Sequence, residues 1–166
     1  MNKAILFNFN VDKANNQIKV ERSFNAPIEL VWSAWTVSEI LDQWWAPKPW
    51  VAETKSLDFR EGGQWLYAMV SPVGERQWCK ADYKEIKIQE TLSWLDAFCD
   101  ENGIENEMKP RSFWVNKFIE HEGSTIVNIT MTHEKLEDLE MLIEMGFKEG
   151  FTAGLENLDH YLQNLT

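Results

Sequence analysis

The stretch EKLEDLEMLIEMGFKEGFTAGLENLDHYLQNL, residues 134–165, decides how this chain folds. Leu136, Leu139, Ile143, Phe147, Leu158, Leu162 and Leu165 recur at helical spacing on one broad face, while acidic residues such as Glu137, Glu144 and Glu156 lie mostly off it. The pattern predicts one helix from about Glu134 to Leu165. At about 1.5 Å per residue it would run roughly 45 Å, enough to cross a whole sheet.

Working back from that helix, the period changes from 3.6 to two. Gln17–Phe24 alternates, with Ile18, Val20 and Phe24 on one face and Gln17, Lys19, Glu21 and Ser23 on the other. Pro27 suits the first position of a helix that carries Ile28, Val31, Trp32 and Trp35 on one side. Thr36-Val37-Ser38-Glu39 has capping-box spacing for a second short helix, which ends before Pro47 and Pro49. From Val51 to Met131 the chain reads as about six strands divided by turns such as Gly62-Gly63 and Glu122-Gly123. The expected fold class is α+β: a curved antiparallel sheet of about six to seven strands under a long C-terminal helix, with two short helices after the first strand. Residues 1–16 are expected to be an edge strand or arm, and residues 17–166 a single domain.

Three features invite a functional reading. Arg22 shares the inward face of Ile18, Val20 and Phe24, where a guanidinium needs a polar partner; it is either a structural ion pair or the polar anchor of a ligand. Gly146, Gly150 and Gly154 repeat at intervals of four on the helix's apolar face, each costing about 1 kcal/mol relative to Ala. They allow either close approach of helix to sheet or room for a ligand. Finally, nine Trp and nine Phe in 166 residues fill a large core or line a cavity.

Composition removes other classes. A formal charge of −11 opposes binding to phosphate backbones and anionic membrane surfaces. The start, MNKAILFNFN, does not read as a signal peptide, and two cysteines do not make a disulfide framework, so a reducing, cytoplasmic setting is expected. His121, His133 and His160 are scattered, no zinc or calcium pattern survives inspection, and neither a metal, a cofactor nor a catalytic set is assigned.

Several segments resemble the AHSA-type family, named for similarity to the activator of the heat-shock protein ATPase, within the START-like or SRPBCC superfamily. They are Arg22–Pro27 leading into Val31–Trp35, Trp44-Trp45-Ala46-Pro47, Asp58–Trp65, Ala81-Asp82-Tyr83 and Gly150–Leu155, in order over residues 17–165. The resemblance implies a helix-grip fold with a cavity between sheet and C-terminal helix. On the binding reading, the residues expected to line that cavity are Trp32, Trp65, Tyr67, Met69, Trp78, Trp94, Phe147 and Phe151, with Arg22 as the candidate polar anchor. The expected function is non-catalytic binding of a small apolar or amphipathic molecule. Chaperone binding is the alternative, and a cyclase- or hydrolase-type enzyme ranks lowest because no inward polar cluster beyond Arg22 is legible in the strands.

Overall fold

The computed structural model describes residues 4–165; residues 1–3 of the expected arm and Thr166 lie outside them. All strands pair antiparallel in one sheet. β1 (Phe7–Asp12) and β2 (Gln17–Phe24) precede two helices, α1 (Ile28–Thr36) and α2 (Ser38–Trp44). A meander follows: β3 (Val51–Leu57), β4 (Gln64–Val70), β5 (Arg76–Lys87), β6 (Thr91–Cys99), β7 (Phe113–His121) and β8 (Ser124–Thr132). β2 closes against β8, so the order is β1-β2-β8-β7-β6-β5-β4-β3. Among the described residues the count is eight, not six or seven, because β1 pairs with β2 from Phe7 opposite Arg22 to Asp12 opposite Gln17. Its pattern is mostly exposed, so it lacks the half-buried alternation that revealed β2.

One extra residue interrupts the pairing on β3, between Thr54 and Ser56, and another on β5, between Tyr83 and Ile86. Such bulges bend the strand and increase twist, which makes the sheet concave. The concave face holds the core: Ile18, Val20, Phe24, Leu92, Ile129 and Met131 from the sheet meet Val31, Trp35, Leu41 and Trp44 from the helices. Trp44 is wholly enclosed and donates its indole N–H to the Ala34 carbonyl at 2.8 Å.

The single long helix is two helices. α3 (Leu136–Glu144) stops at Met145, and α4 (Phe147–Gln163) begins after Gly146, whose φ is 89°. That left-handed conformation suits glycine, and there it ends a helix instead of burdening one. The capping box also differs. Val37, not Thr36, precedes α2, and the Thr36 hydroxyl donates back to the Trp32 carbonyl at 2.9 Å. Threonine often makes this bond to the preceding turn. Pro27 sits one position outside α1, with extended ψ.

Candidate ligand-binding cavity

Of the two glycines within α4, Gly154 is the one whose backbone packs closely on a neighbour. A Cβ at Gly154 would lie 3.2 Å from the Trp45 carbonyl oxygen and 3.3 Å from that of Trp44. Nearby, the Asn157 amide donates to the Ala46 carbonyl at 3.1 Å. The close partner is thus the end of α2, and the expected approach of helix to sheet is replaced by helix against helix. At Gly150 the nearest atom to a Cβ would be Pro47 Cγ at 3.7 Å, an ordinary contact. With the helix pinned at Gly154 and bare at Gly150, a cavity of about 220 Å³ is left between α3, the start of α4 and the sheet.

Alternation along β4 to β7 sets its floor. Trp65, Tyr67 and Met69 come from β4, Cys79 and Ala81 from β5, Trp94 and Asp96 from β6, and Trp114 from β7. The roof is Leu142, Met145, Gly146, Phe147, Gly150 and Phe151, with Trp45 and Pro47 closing one side. Rings stack in pairs around it: Trp65 on Tyr67 with centroids 4.0 Å apart, Trp94 on Trp114 at 5.2 Å, and Phe147 on Phe151 at 5.2 Å. Trp45 reaches Trp65, Tyr67, Trp94, Trp114 and Phe151 edge-on or tilted.

Six of the residues expected at a cavity therefore face this one: Trp65, Tyr67, Met69, Trp94, Phe147 and Phe151. Arg22, Trp32 and Trp78 lie elsewhere. Arg22 points inward but sits near the far half of α4, within the field of Asp159 and Glu156. Its guanidinium donates to the Ser23 carbonyl at 2.6 Å and rests over the Phe24 ring, while burial lowers its pKa. Trp32 packs edge-on against Phe118 at 5.0 Å and Phe59 at 6.2 Å, in the core under α1. Trp78 alternates with Cys79 and so faces the convex side, where the Lys55 ammonium lies over it.

A sequence profile of the family described as Activator of Hsp90 ATPase homolog 1-like protein matches residues 25–163. The chain belongs to that family. Among solved structures it is similar to protein Ms6760 from Mycobacterium smegmatis, at 26% identity over 96% of this chain and 97% of that one, with a TM-score of 0.87. A solution structure from Arthrobacter aurescens shares 26% identity over 95% and 91% of the two chains, with a TM-score of 0.90. One from Staphylococcus epidermidis shares 26% over 94% of each, with a TM-score of 0.82. No curated protein sequence matches the chain.

Within this family fold, the chain carries an inward polar cluster that sequence reasoning missed. The Asp96 carboxylate accepts the Ser112 backbone N–H at 2.7 Å on one oxygen and the Trp114 indole N–H at 2.7 Å on the other. Burial among the rings outweighs those donors and raises its pKa to about 7. The Tyr67 hydroxyl accepts the Trp45 indole N–H at 2.9 Å, and burial raises the pKa values of both Tyr67 and Cys79. Leu92, Trp94, Asp96 and Phe98 alternate as cleanly as Ile18, Val20, Arg22 and Phe24, so the rule that singled out Arg22 also points to Asp96. Among the described residues no group of three or more His, Cys, Asp or Glu side chains could hold a metal ion. Among the described residues no helix is long and apolar enough to cross a membrane.

Proposed function

We propose that this family member binds a small, largely apolar molecule bearing one polar group, in the cavity between the sheet and the α3–α4 break. The observation that carries the reading is the cavity of about 220 Å³, walled by aromatic rings from both layers and polar at Asp96, Tyr67, Cys79 and Ser112. Apolar walls with a few fixed polar groups are the usual makeup of a small-molecule site. Burial holds the Tyr67 hydroxyl and Cys79 thiol in their neutral forms, so neither is an activated nucleophile near neutral pH.

Gly150→Leu tests the assignment. The substitution improves helix propensity by about 1 kcal/mol and places a side chain in the cavity. Titration calorimetry with 1-naphthalenemethanol should show binding to the wild type and none to Gly150→Leu, with the melting temperature of the variant retained. Unaltered binding in both Gly150→Leu and Phe151→Ala would remove the cavity as the site. The family description and the charge of −11 would then favour docking on a chaperone through the acidic surface, weakening steeply with salt.

A further inference from the structure

We propose that the molecule held in this cavity is an organic cation, a protonated or quaternary amine on a body of one or two rings, with its charged nitrogen against Asp96. The inference rests on the binding reading above and adds the chemistry of the ligand.

The donor and acceptor inventory of the cavity points one way. Each carboxylate oxygen of Asp96 already accepts one N–H, from Ser112 and from Trp114, and a carboxylate oxygen has about two acceptor sites. What remains toward the cavity is acceptor capacity, which calls for a donor. The rings around it, Trp45, Trp65, Trp94, Trp114, Phe147 and Phe151, present negative faces and positive edges, and a cation over such a face is favoured by about 0.5–2 kcal/mol. A carboxylate and a set of ring faces both favour positive charge. An ammonium donating to Asp96 would form the charge-assisted kind of hydrogen bond, stronger than its neutral counterpart.

Among the described residues no protein cation fills that role. Among them Arg111 is the positive group acting on Asp96, and its half-exposed guanidinium is paired with Glu105 at 3.4 Å. From β4 and β5 the titratable neighbours are Tyr67 and Cys79, both held neutral. His133 reaches the cluster only through Ser112, whose hydroxyl lies 2.8 Å from its Nε2. From the helices come Leu142, Phe147, Gly150 and Phe151, none of them charged. Size sets the body: a dry cavity of about 150 Å³ accommodates benzene, and this one, at about 220 Å³, has room for a second ring or a short arm.

The test uses three probes with one body: 1-naphthylmethylamine, 1-naphthalenemethanol and 1-naphthylacetate, titrated calorimetrically at pH 8 and low salt. The amine should bind at least about tenfold tighter than the alcohol, a difference of about 1.4 kcal/mol, and the acetate should bind weakest. Asp96→Asn should bring the affinities of amine and alcohol together. Should that variant fail to fold, the wild type decides by itself. The amine's advantage should shrink from pH 8 to pH 5, as Asp96 takes up a proton, while the alcohol's affinity stays level. Alcohol binding as tightly as amine, or an amine advantage unchanged by pH, overturns the cation assignment and leaves the cavity as a binding site. Failure of all three probes to bind overturns both.

Discussion

Gly150 and Gly154 are one turn apart on α4 yet are expected to respond oppositely to the same change. At Gly150 a methyl group meets only Pro47, so Gly150→Ala should raise stability by up to about 1 kcal/mol through helix propensity. At Gly154 the methyl meets two carbonyl oxygens at 3.2 and 3.3 Å, and α4 must shift from α2 to admit it. Gly154→Ala should therefore destabilise, by about 1–3 kcal/mol in the manner of other overpacked sites. Chemical denaturation of both variants checks the pair, and equal shifts of the same sign would count against the packing described. Asp96 supplies a residue-scale test of pH. Its folded pKa, about 7, lies above the ordinary 3.8, so the folded state binds more protons than the unfolded state between those values. This group's contribution to stability is fully present at low pH, falls as pH rises from about 4 to about 7, and is level above. Asp96→Asn should remove that slope from the melting temperature.

At the scale of elements, the break at Gly146 is what turns a helix long enough to span the sheet into a lid and a strut. α4 alone, with 17 residues, runs about 26 Å. α3 turns aside so that Leu142 and Met145 cover one end of the cavity. Gly146→Ala places a side chain at φ 89° and should cost about 1–2 kcal/mol, with Gly146→Asn milder. If the break positions the lid, hydrogen exchange should quicken in Leu136–Glu144 ahead of the sheet, and 1-naphthalenemethanol should bind more weakly. Uniform loss of protection through the whole protein would speak against a separate role for α3. The two bulges work in the same direction from the sheet side. They curve β3 and β5 around the floor formed by Trp65, Tyr67 and Ala81.

On the scale of the whole molecule, His133 ties distant segments together. Its Nδ1 lies 3.2 Å from the Asn16 carbonyl at the start of β2, and its Nε2 2.8 Å from the Ser112 hydroxyl ahead of β7. The carbonyl can only accept, so Nδ1 carries the proton and Ser112 donates to Nε2. Burial lowers the pKa of His133 below 6.5, so the folded state binds fewer protons than the unfolded state just below that value. The stability it contributes is present above pH 6.5 and is lost on acidification, opposite in sign to the Asp96 effect. Wild-type protein should thus show a shallow pH dependence between 7 and 5, and Asp96→Asn should melt progressively lower as pH falls across that range. A flat profile in Asp96→Asn would mean that burial does not hold His133 in its neutral form.

Much of the architecture was legible before any tertiary contact was known. Alternation fixed β2 at Gln17–Phe24 and placed Trp65, Tyr67 and Met69 on one face, since side-chain direction along a strand depends only on local backbone geometry. Helical spacing likewise located the apolar face of the C-terminal segment, and composition set the sign of the surface charge. Tertiary structure alone decided three matters. Gly146 ends a helix while Gly150 and Gly154 lie within one, because the neighbours and φ of each glycine arise from packing between elements far apart in sequence. Arg22 and Asp96 both face inward, but only Asp96 meets the cavity, because α4 covers them at opposite ends. And Trp32 became core while Trp94 became wall, since burial in one layer or exposure to a void between two depends on where the second layer rests.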